Sequence, residues 1–175
     1  MKNVYKKSLS VIAFILLLTS CGSDDSAPVV EPAPAPAPSG SYIKGKVNGV
    51  QFENLQIMGV STAVATRSGT GDGTLIMLSG SDMETNTMVI TTYGITTTGT
   101  YTVNSEDDGT VLAYIPSNEV SYDTSDCEGA TGTLVITHLD DTKIEGTFSF
   151  TGKDDENCGD SRVISEGSFR GVFMR

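Results

Sequence analysis

The sequence predicts an all-β protein, and three features lead to that prediction. Threonine, serine and glycine number 22, 19 and 19 among 175 residues, a composition that suits strands and tight turns better than helices. Beyond residue 41, apolar and polar residues alternate with a period of two, and no window of eleven residues carries an apolar stripe at helical spacing. We expect an antiparallel meander that forms a barrel-like or two-layer sandwich domain of about nine to eleven strands.

Residues 1–20 have the pattern of a signal peptide. Three lysines precede an apolar run over residues 9–18, which is too short to span a hydrocarbon core of roughly 30 Å. The next residues, Leu-Thr-Ser-Cys at 18–21, resemble a bacterial lipobox, in which Cys21 is acylated and becomes the new N-terminus. The alternative is a free Cys21 that happens to end an ordinary signal peptide.

Acylation of Cys21 would decide how the chain meets a membrane. Two or three acyl chains hold a protein stably on a bilayer, whereas one binds only marginally. Cleavage before Cys21 leaves eight bases against all 22 acids, a net charge of −14. Anionic headgroups repel such a chain, so the lipid must be the anchor. The same charge argues against nucleic acid as a partner.

Residues 21–40 form the predicted tether. Five prolines alternate largely with alanine between residues 28 and 38, which favours an extended spacer that could reach up to roughly 60 Å. The Cys-Gly-Ser-Asp-Asp start resembles the acidic export tag of Bacteroidota lipoproteins and predicts an outer-membrane protein that faces the cell exterior. The alternative is a plain linker facing the periplasm. Asp-Ser-Ala at 25–27 resembles the O-glycosylation motif of that phylum, which makes Ser26 a candidate site.

Residues 41–175 are predicted to form a single β domain. It opens with period-two alternation from Tyr42, interrupted by Asn48-Gly49 between two valines, the strongest short signal for a hairpin with a type I′ turn. Turn-forming clusters separate the later strand-like runs. These runs cover residues 55–60, 63–67, 74–79, 87–93, 99–103, 111–115, 118–122, 132–138, 143–151 and 162–173.

The last three runs have the clearest two-faced pattern. Residues 132–138 and 143–151 flank the turn at 140–142 and should pair as a hairpin with its polar face in water. Small residues stand among bulky ones at Gly146 and Gly167, which favours a tightly curved sheet. In the final run, strict alternation assigns the inward positions to Val163, Ser165, Gly167, Phe169 and Phe173.

The order of these segments resembles an uncharacterised family of Bacteroidota lipoproteins, a domain of unknown function. The segments that carry the resemblance are 99–103, 132–137, 140–150 with its Gly-Thr-Phe-Ser-Phe, and 164–169 with its Glu-Gly-Ser-Phe. The resemblance covers about residues 41 to 173. It implies neither an activity nor any functional residue.

Cys127 and Cys158 are the two cysteines of the β domain. One precedes the strand at 132 and the other follows its expected hairpin partner, so both loops should emerge at the same end of the sheet. In an exported chain this placement predicts a disulfide. Two free thiols or a two-cysteine metal site are the alternatives.

Acidic clusters at residues 106–109 and 154–160 offer oxygens to a cation. Asp154, Asp155, Asn157 and Asp160 form the stronger candidate, for calcium, although neither cluster has the EF-hand spacing. The alternative is a solvated acidic loop that needs no ion. No other cofactor is expected.

Catalytic motifs are missing from the sequence. It has no Gly-x-Ser-x-Gly elbow, no His-Glu-x-x-His and no phosphate loop. His138 is the single histidine, and we expect it to lie at a strand end and bond a turn carboxylate. Gly69–Gly73 leads into a strand and not a helix, so it should be a hairpin tip. An enzyme would have to work with carboxylates alone, as glycosidases do, and we expect none.

Two function classes remain. The first is a surface-exposed, non-enzymatic module that binds a glycan or another surface protein at its loop end, with Tyr93, Tyr101, Tyr114 and Tyr122 as candidate sugar-stacking residues. The alternative is a lipocalin-like barrel that carries a small apolar ligand. Inward phenylalanines would fill such an interior and favour the first class.

Overall fold

The structure is a computed structural model that describes residues 40–106, 109–117 and 120–174. The predicted signal peptide, the lipidation site Cys21, the candidate glycosylation site Ser26 and the tether up to residue 39 lie outside the described residues. Within the described ranges no helix has the length and apolarity needed to cross a bilayer.

Thirteen strands and one short 3-10 turn, Gly71–Gly73, make up the described domain. The all-β prediction is confirmed, since the described residues contain no α-helix. In chain order the strands are β1 Tyr42–Val47, β2 Val50–Glu53, β3 Gln56–Ile57, β4 Val60–Ser61, β5 Val64–Ser68, β6 Leu75–Ser81, β7 Thr87–Tyr93, β8 Gly99–Asn104, β9 Thr110–Ile115, β10 Tyr122–Asp123, β11 Thr131–Leu139, β12 Lys143–Asp154 and β13 Ser161–Val172.

Eleven of the strands form one antiparallel sheet that curls into a half-barrel. The order along the sheet is β2-β1-β13-β12-β10-β9-β7-β6-β5, while β11 pairs with both β12 and β8. The curl brings β5 to the end of β13, where Ala65 bridges Phe173. Arg67 strengthens this seam by donating to the Asp140 carbonyl and the Asp141 carboxylate, each at 3.0 Å. Strands β3 and β4 form a separate small hairpin.

Aromatic side chains fill the concave face of the sheet. Phe148 lies 6.3 Å from Phe150 and 6.2 Å from Phe169 between ring centroids, and all three are buried. Across β12 and β13 the register sets Phe148 opposite Gly167 and Phe169 opposite Gly146. Each ring lies over the glycine facing it, so the small residues let the strands curve around large ones, as predicted.

Two predicted strands are shorter than expected. The run at 55–60 is not one strand, because Met58 and Gly59 have φ angles of 51° and 80° and reverse the chain between β3 and β4. Of residues 120–122, the described part of the run at 118–122, only Tyr122 belongs to a strand, the two-residue β10. A positive φ at methionine has no sequence signature, so the sequence does not indicate the turn at Met58 and Gly59.

The inward assignment at the start of the final strand is wrong. Val163 is 50% exposed and Ile164 is buried, the reverse of the prediction, and Ser165 is only partly buried. Glu166 has a φ of 52°, and the register of β13 shifts at this point against both β1 and β12. This β-bulge inserts one residue and inverts the alternation before it, while Gly167, Phe169 and Phe173 keep their inward positions.

Candidate functional site

A groove of about 640 Å³ lies beside β2, at the end of the sheet where β12 ends and β13 begins. We call it the β2 groove. The β1–β2 hairpin forms one wall, and the turn between β6 and β7 forms the other. The lining residues are Val47, Asn48, Val50, Gln51, Phe52, Glu53, Asp82, Met83, Glu84, Asn86, Tyr114, Pro116 and Arg162.

The first wall follows from the Asn48-Gly49 signal. These residues have φ angles of 48° and 84°, and Val47 pairs with Val50 across the turn, which confirms the predicted two-residue hairpin. Asn48 also ties the turn to β13, because its backbone N–H donates to the Val163 carbonyl at 2.8 Å and its Oδ1 accepts from the Val163 N–H at 2.9 Å.

The second wall is held by Asp82. Its Oδ1 accepts the backbone N–H groups of Glu84 and Asn86 at 2.8 and 3.0 Å, and its Oδ2 accepts the Asn86 side chain at 2.8 Å. The Asn86 Oδ1 in turn accepts from the Ser117 N–H at 3.2 Å. This network fixes the turn and leaves Met83 at its tip, 83% exposed.

The floor of the groove is aromatic. Phe52 and Tyr114 meet edge to face, with ring centroids 6.3 Å apart and planes at 88°. Arg162 is the one basic residue among the described residues of the lining, and its guanidinium lies 4.2 Å from the centre of the Tyr122 ring. Glu53, Asp82 and Glu84 give the rim an acidic character, since Arg162 is already engaged with the ring.

Strand β2 presents a free backbone edge to this groove. Alternate residues of an antiparallel strand bond to the same neighbour. Asn54, just after β2, donates its backbone N–H to the Ile43 carbonyl at 3.1 Å. By alternation, the backbone N–H and C=O groups of Phe52 and Val50 also point toward β1. Gln51 and Glu53 therefore direct their N–H and C=O groups away from β1. No strand pairs with β2 on that side in the described sheet.

The predicted disulfide between Cys127 and Cys158 is confirmed. Its two Cα atoms are 5.6 Å apart, and it joins the loop before β11 to the loop after β12. Thr131 pairs with Thr151 across these strands, so both loops leave the sheet at the same end, as the hairpin topology requires. The Cys158 N–H donates to the Asp154 carbonyl at 2.8 Å and closes the second loop.

The four calcium candidates do not converge on one point. Asp154 is buried, and its oxygens accept the N–H of Glu156 at 2.9 Å and the side-chain amide of Asn157 at 2.9 Å. Asp155 is exposed, and the Asp160 carboxylate lies 3.9 Å from Arg162. No group of three or more His, Cys, Asp or Glu side chains in residues 40–106, 109–117 and 120–174 could hold a metal. Calcium binding stays a prediction.

His138 lies where the sequence indicated. Its Nε2 is 2.7 Å from the Asp140 carboxylate, in the turn between β11 and β12. Hydrogen bonds from Thr142, and after them the one from His138, hold the pKa of Asp140 well below its usual range. The Lys143 hydrogen bond lowers the pKa of Glu145 in the same way. These contacts fasten the end of β11 to the turn that follows it.

Two of the four candidate sugar-stacking tyrosines are in the core. Tyr114 and Tyr122 are 9% and 4% exposed, so neither can stack on a sugar. The Tyr101 hydroxyl donates to the Thr97 carbonyl at 2.8 Å. Tyr93 is 55% exposed, and Leu75 faces it across β6 and β7. Alternation alone does not distinguish the inner from the outer face of a curled sheet, so the sequence could not separate these tyrosines.

The β2 groove itself was not predicted. Its lining comes from four segments that are distant in the sequence, and only the curl of the sheet brings them together. The Asn48-Gly49 turn marked one wall without any indication that a groove lies beside it.

Comparison with known protein families shows where the chain belongs. Domain of unknown function (DUF6252) matches residues 41–173. No curated protein matches the chain, and no solved structure matches it. The matched segment covers more than half of the chain and runs from the first residue before β1 to the last residue of the seam with β5. The chain therefore belongs to the DUF6252 family.

Proposed function

We propose that this protein is a lipid-anchored, non-enzymatic binding module on the cell exterior, and that an extended, positively charged polypeptide segment binds in its β2 groove. The observation that carries the proposal is the free edge of β2, where Gln51 and Glu53 direct unpaired backbone groups into a groove with an acidic rim. An added strand would pair with this edge and gain main-chain hydrogen bonds.

Charge supports a basic ligand. The side chains of an added strand alternate in direction, so every second one could reach Glu53 or Glu84 on the rim. The net charge of −11 for the whole chain attracts a cationic segment and speeds its encounter. The same charge opposes pairing of β2 with β2 of a second copy.

The packed interior favours a binding site in the surface groove over one inside the half-barrel. Phe148, Phe150 and Phe169 fill the concave face, where a lipocalin-like carrier would need space for an apolar ligand. The described residues form no arrangement that favours the lipocalin-like carrier or a glycan-binding surface.

A proline at position 51 tests strand addition. Gln51→Pro removes the backbone N–H of residue 51, which points away from β1 and toward the proposed ligand. Edge strands tolerate proline where the N–H faces solvent. We expect at least a tenfold loss of affinity for a seven-residue peptide that alternates lysine with valine, measured by calorimetry. Gln51→Ala, which keeps the N–H, should bind like the unsubstituted protein.

Neither substitution changes the charge, so non-specific attraction is equal in all three proteins. Equal affinity of the Pro and Ala variants would contradict strand addition. Equal binding of a peptide that alternates glutamate with valine would contradict the role of the acidic rim.

Substitution of Cys21 tests the anchor. Cys21→Ala removes the only sulfur that a lipobox could acylate, so we expect the protein to move from the membrane fraction to the soluble fraction. Ser20→Ala, which leaves the cysteine in place, should stay with membranes.

Protease added to intact cells tests exposure on the cell exterior. It should remove the domain of the unsubstituted protein, and digestion only after permeabilisation would contradict exposure on the cell exterior.

A further inference from the structure

The β3–β4 hairpin ends in an exposed apolar tip. Ile57 is 56% exposed, Met58 100% and Val60 71%. A side chain at the turn residue Gly59 would meet nothing within 4 Å, so the turn projects from the described domain. Three large apolar side chains at the end of one short hairpin are unusual for a surface that meets only water.

The tip also lies in an acid-free part of a very acidic chain. Residues 54–71 contain no aspartate or glutamate, although the chain has 22 of them. Arg67 is the one charged residue in this stretch. The hairpin can therefore approach an apolar or anionic surface without the repulsion that the rest of the domain would meet.

The tether enters the domain beside this hairpin. Gly40 lies against Ser61 of β4, and a shallow depression there is lined by Gly40, Gln56 and Val60. Ser41 accepts the Val172 N–H at 2.9 Å, which places the entry point at the end of β13. The chain between Cys21 and this point is nineteen residues long.

We infer that the tip of the β3–β4 hairpin, Ile57, Met58 and Val60, inserts into the apolar surface of the bilayer that holds the lipid anchor. The inference rests on the lipid anchoring in the proposed function. Three apolar side chains bind a bilayer weakly when the protein is free in solution. The tether keeps the hairpin near the bilayer, so contact with the bilayer becomes an intramolecular step and a weak contact is sufficient.

Insertion of the tip would orient the groove. The entry point lies at the Val172 end of β13, whereas Arg162 in the β2 groove lies at its beginning. The hairpin therefore holds one end of β13 at the membrane, and the groove at the other end faces outward toward its ligand.

The absence of tryptophan from the sequence permits a direct test. Met58→Trp in the full chain, purified from membranes and reconstituted in phosphatidylcholine vesicles, places a single fluorophore at the tip. We expect a blue-shifted emission and at least twofold quenching when the lipids carry bromine on their acyl chains. Val60→Trp is a second reporter if the turn does not accept tryptophan at position 58.

Met83→Trp on the rim of the groove is the matched control and should be neither shifted nor quenched. Emission from position 58 that brominated lipid does not quench would overturn the inference, even with the chain on the vesicles. A blue shift without quenching would indicate contact with another protein copy and would also overturn it. A chain that never appears in the membrane fraction would overturn the anchor itself and the inference with it.

Discussion

Gly146→Ala is expected to lower the free energy of unfolding by about 3 kcal/mol or more, because a single methyl group has no space on β12. A Cβ atom at this position would overlap the Val135 carbonyl oxygen on β11 and approach the Phe169 ring to 2.9 Å. The ring could move, but the carbonyl belongs to the backbone of the neighbouring strand. The two strands would have to separate at the centre of the sheet.

Urea unfolding measures this effect directly. Gly73→Ala is the matched control, since a Cβ there meets nothing within 4 Å, and it should change the stability by no more than about 0.5 kcal/mol. Combining Gly146→Ala with Phe169→Leu should not restore stability, because the backbone obstacle remains. A Gly146→Ala protein as stable as the Gly73→Ala protein would contradict the packing described for β11, β12 and β13.

Loss of the disulfide is expected to lower the free energy of unfolding by about 3–4 kcal/mol. The bond joins residues 31 apart in sequence and restricts the denatured chain. Its removal raises the conformational entropy of the denatured state and so favours unfolding. The two loops carry five exposed carboxylates, those of Asp126, Glu128, Asp155, Glu156 and Asp160. The bond holds them together, so the loss should be larger at low ionic strength, where their repulsion is less screened.

The measurement is unfolding of the Cys21→Ala protein with and without reductant, because that protein has no third thiol. A Cys127→Ala/Cys158→Ala variant of it should be as unstable as the reduced protein and insensitive to reductant. Free thiols in the oxidised protein, or equal stability with and without reductant, would contradict the structural role of the bond.

The sequence predicted the elements whose signals are local. Asn48-Gly49 specified a hairpin, because both residues accept a positive φ. Cys127 and Cys158 could be paired by topology, because a hairpin brings the loop before one strand and the loop after its partner to the same end. Small residues at Gly146 and Gly167 predicted curvature, since each faces a phenylalanine ring that would otherwise meet a side chain.

Departures from local pattern could not be predicted. The bulge at Glu166 depends on how β13 meets β1 and β12 together, and it exchanged the environments of Val163 and Ile164. The burial of Tyr114 and Tyr122 depends on the direction in which the sheet curls. The β2 groove depends on the same curl, because the β1–β2 hairpin and the β6–β7 turn are distant in the sequence and line one groove only in the folded sheet. Long-range packing therefore determines the candidate site more than any motif does.

Hydrogen exchange at single amides of β2 detects strand addition residue by residue. In the Cys21→Ala protein with the lysine-valine peptide bound, exchange should slow at the amides of Gln51 and Glu53, which face the groove. The amides of Val50 and Phe52 already bond to β1 and should change little, so they are internal controls. Protection that alternates along the strand is the result that strand addition predicts. Unchanged exchange at Gln51 and Glu53 in the presence of saturating peptide would contradict it.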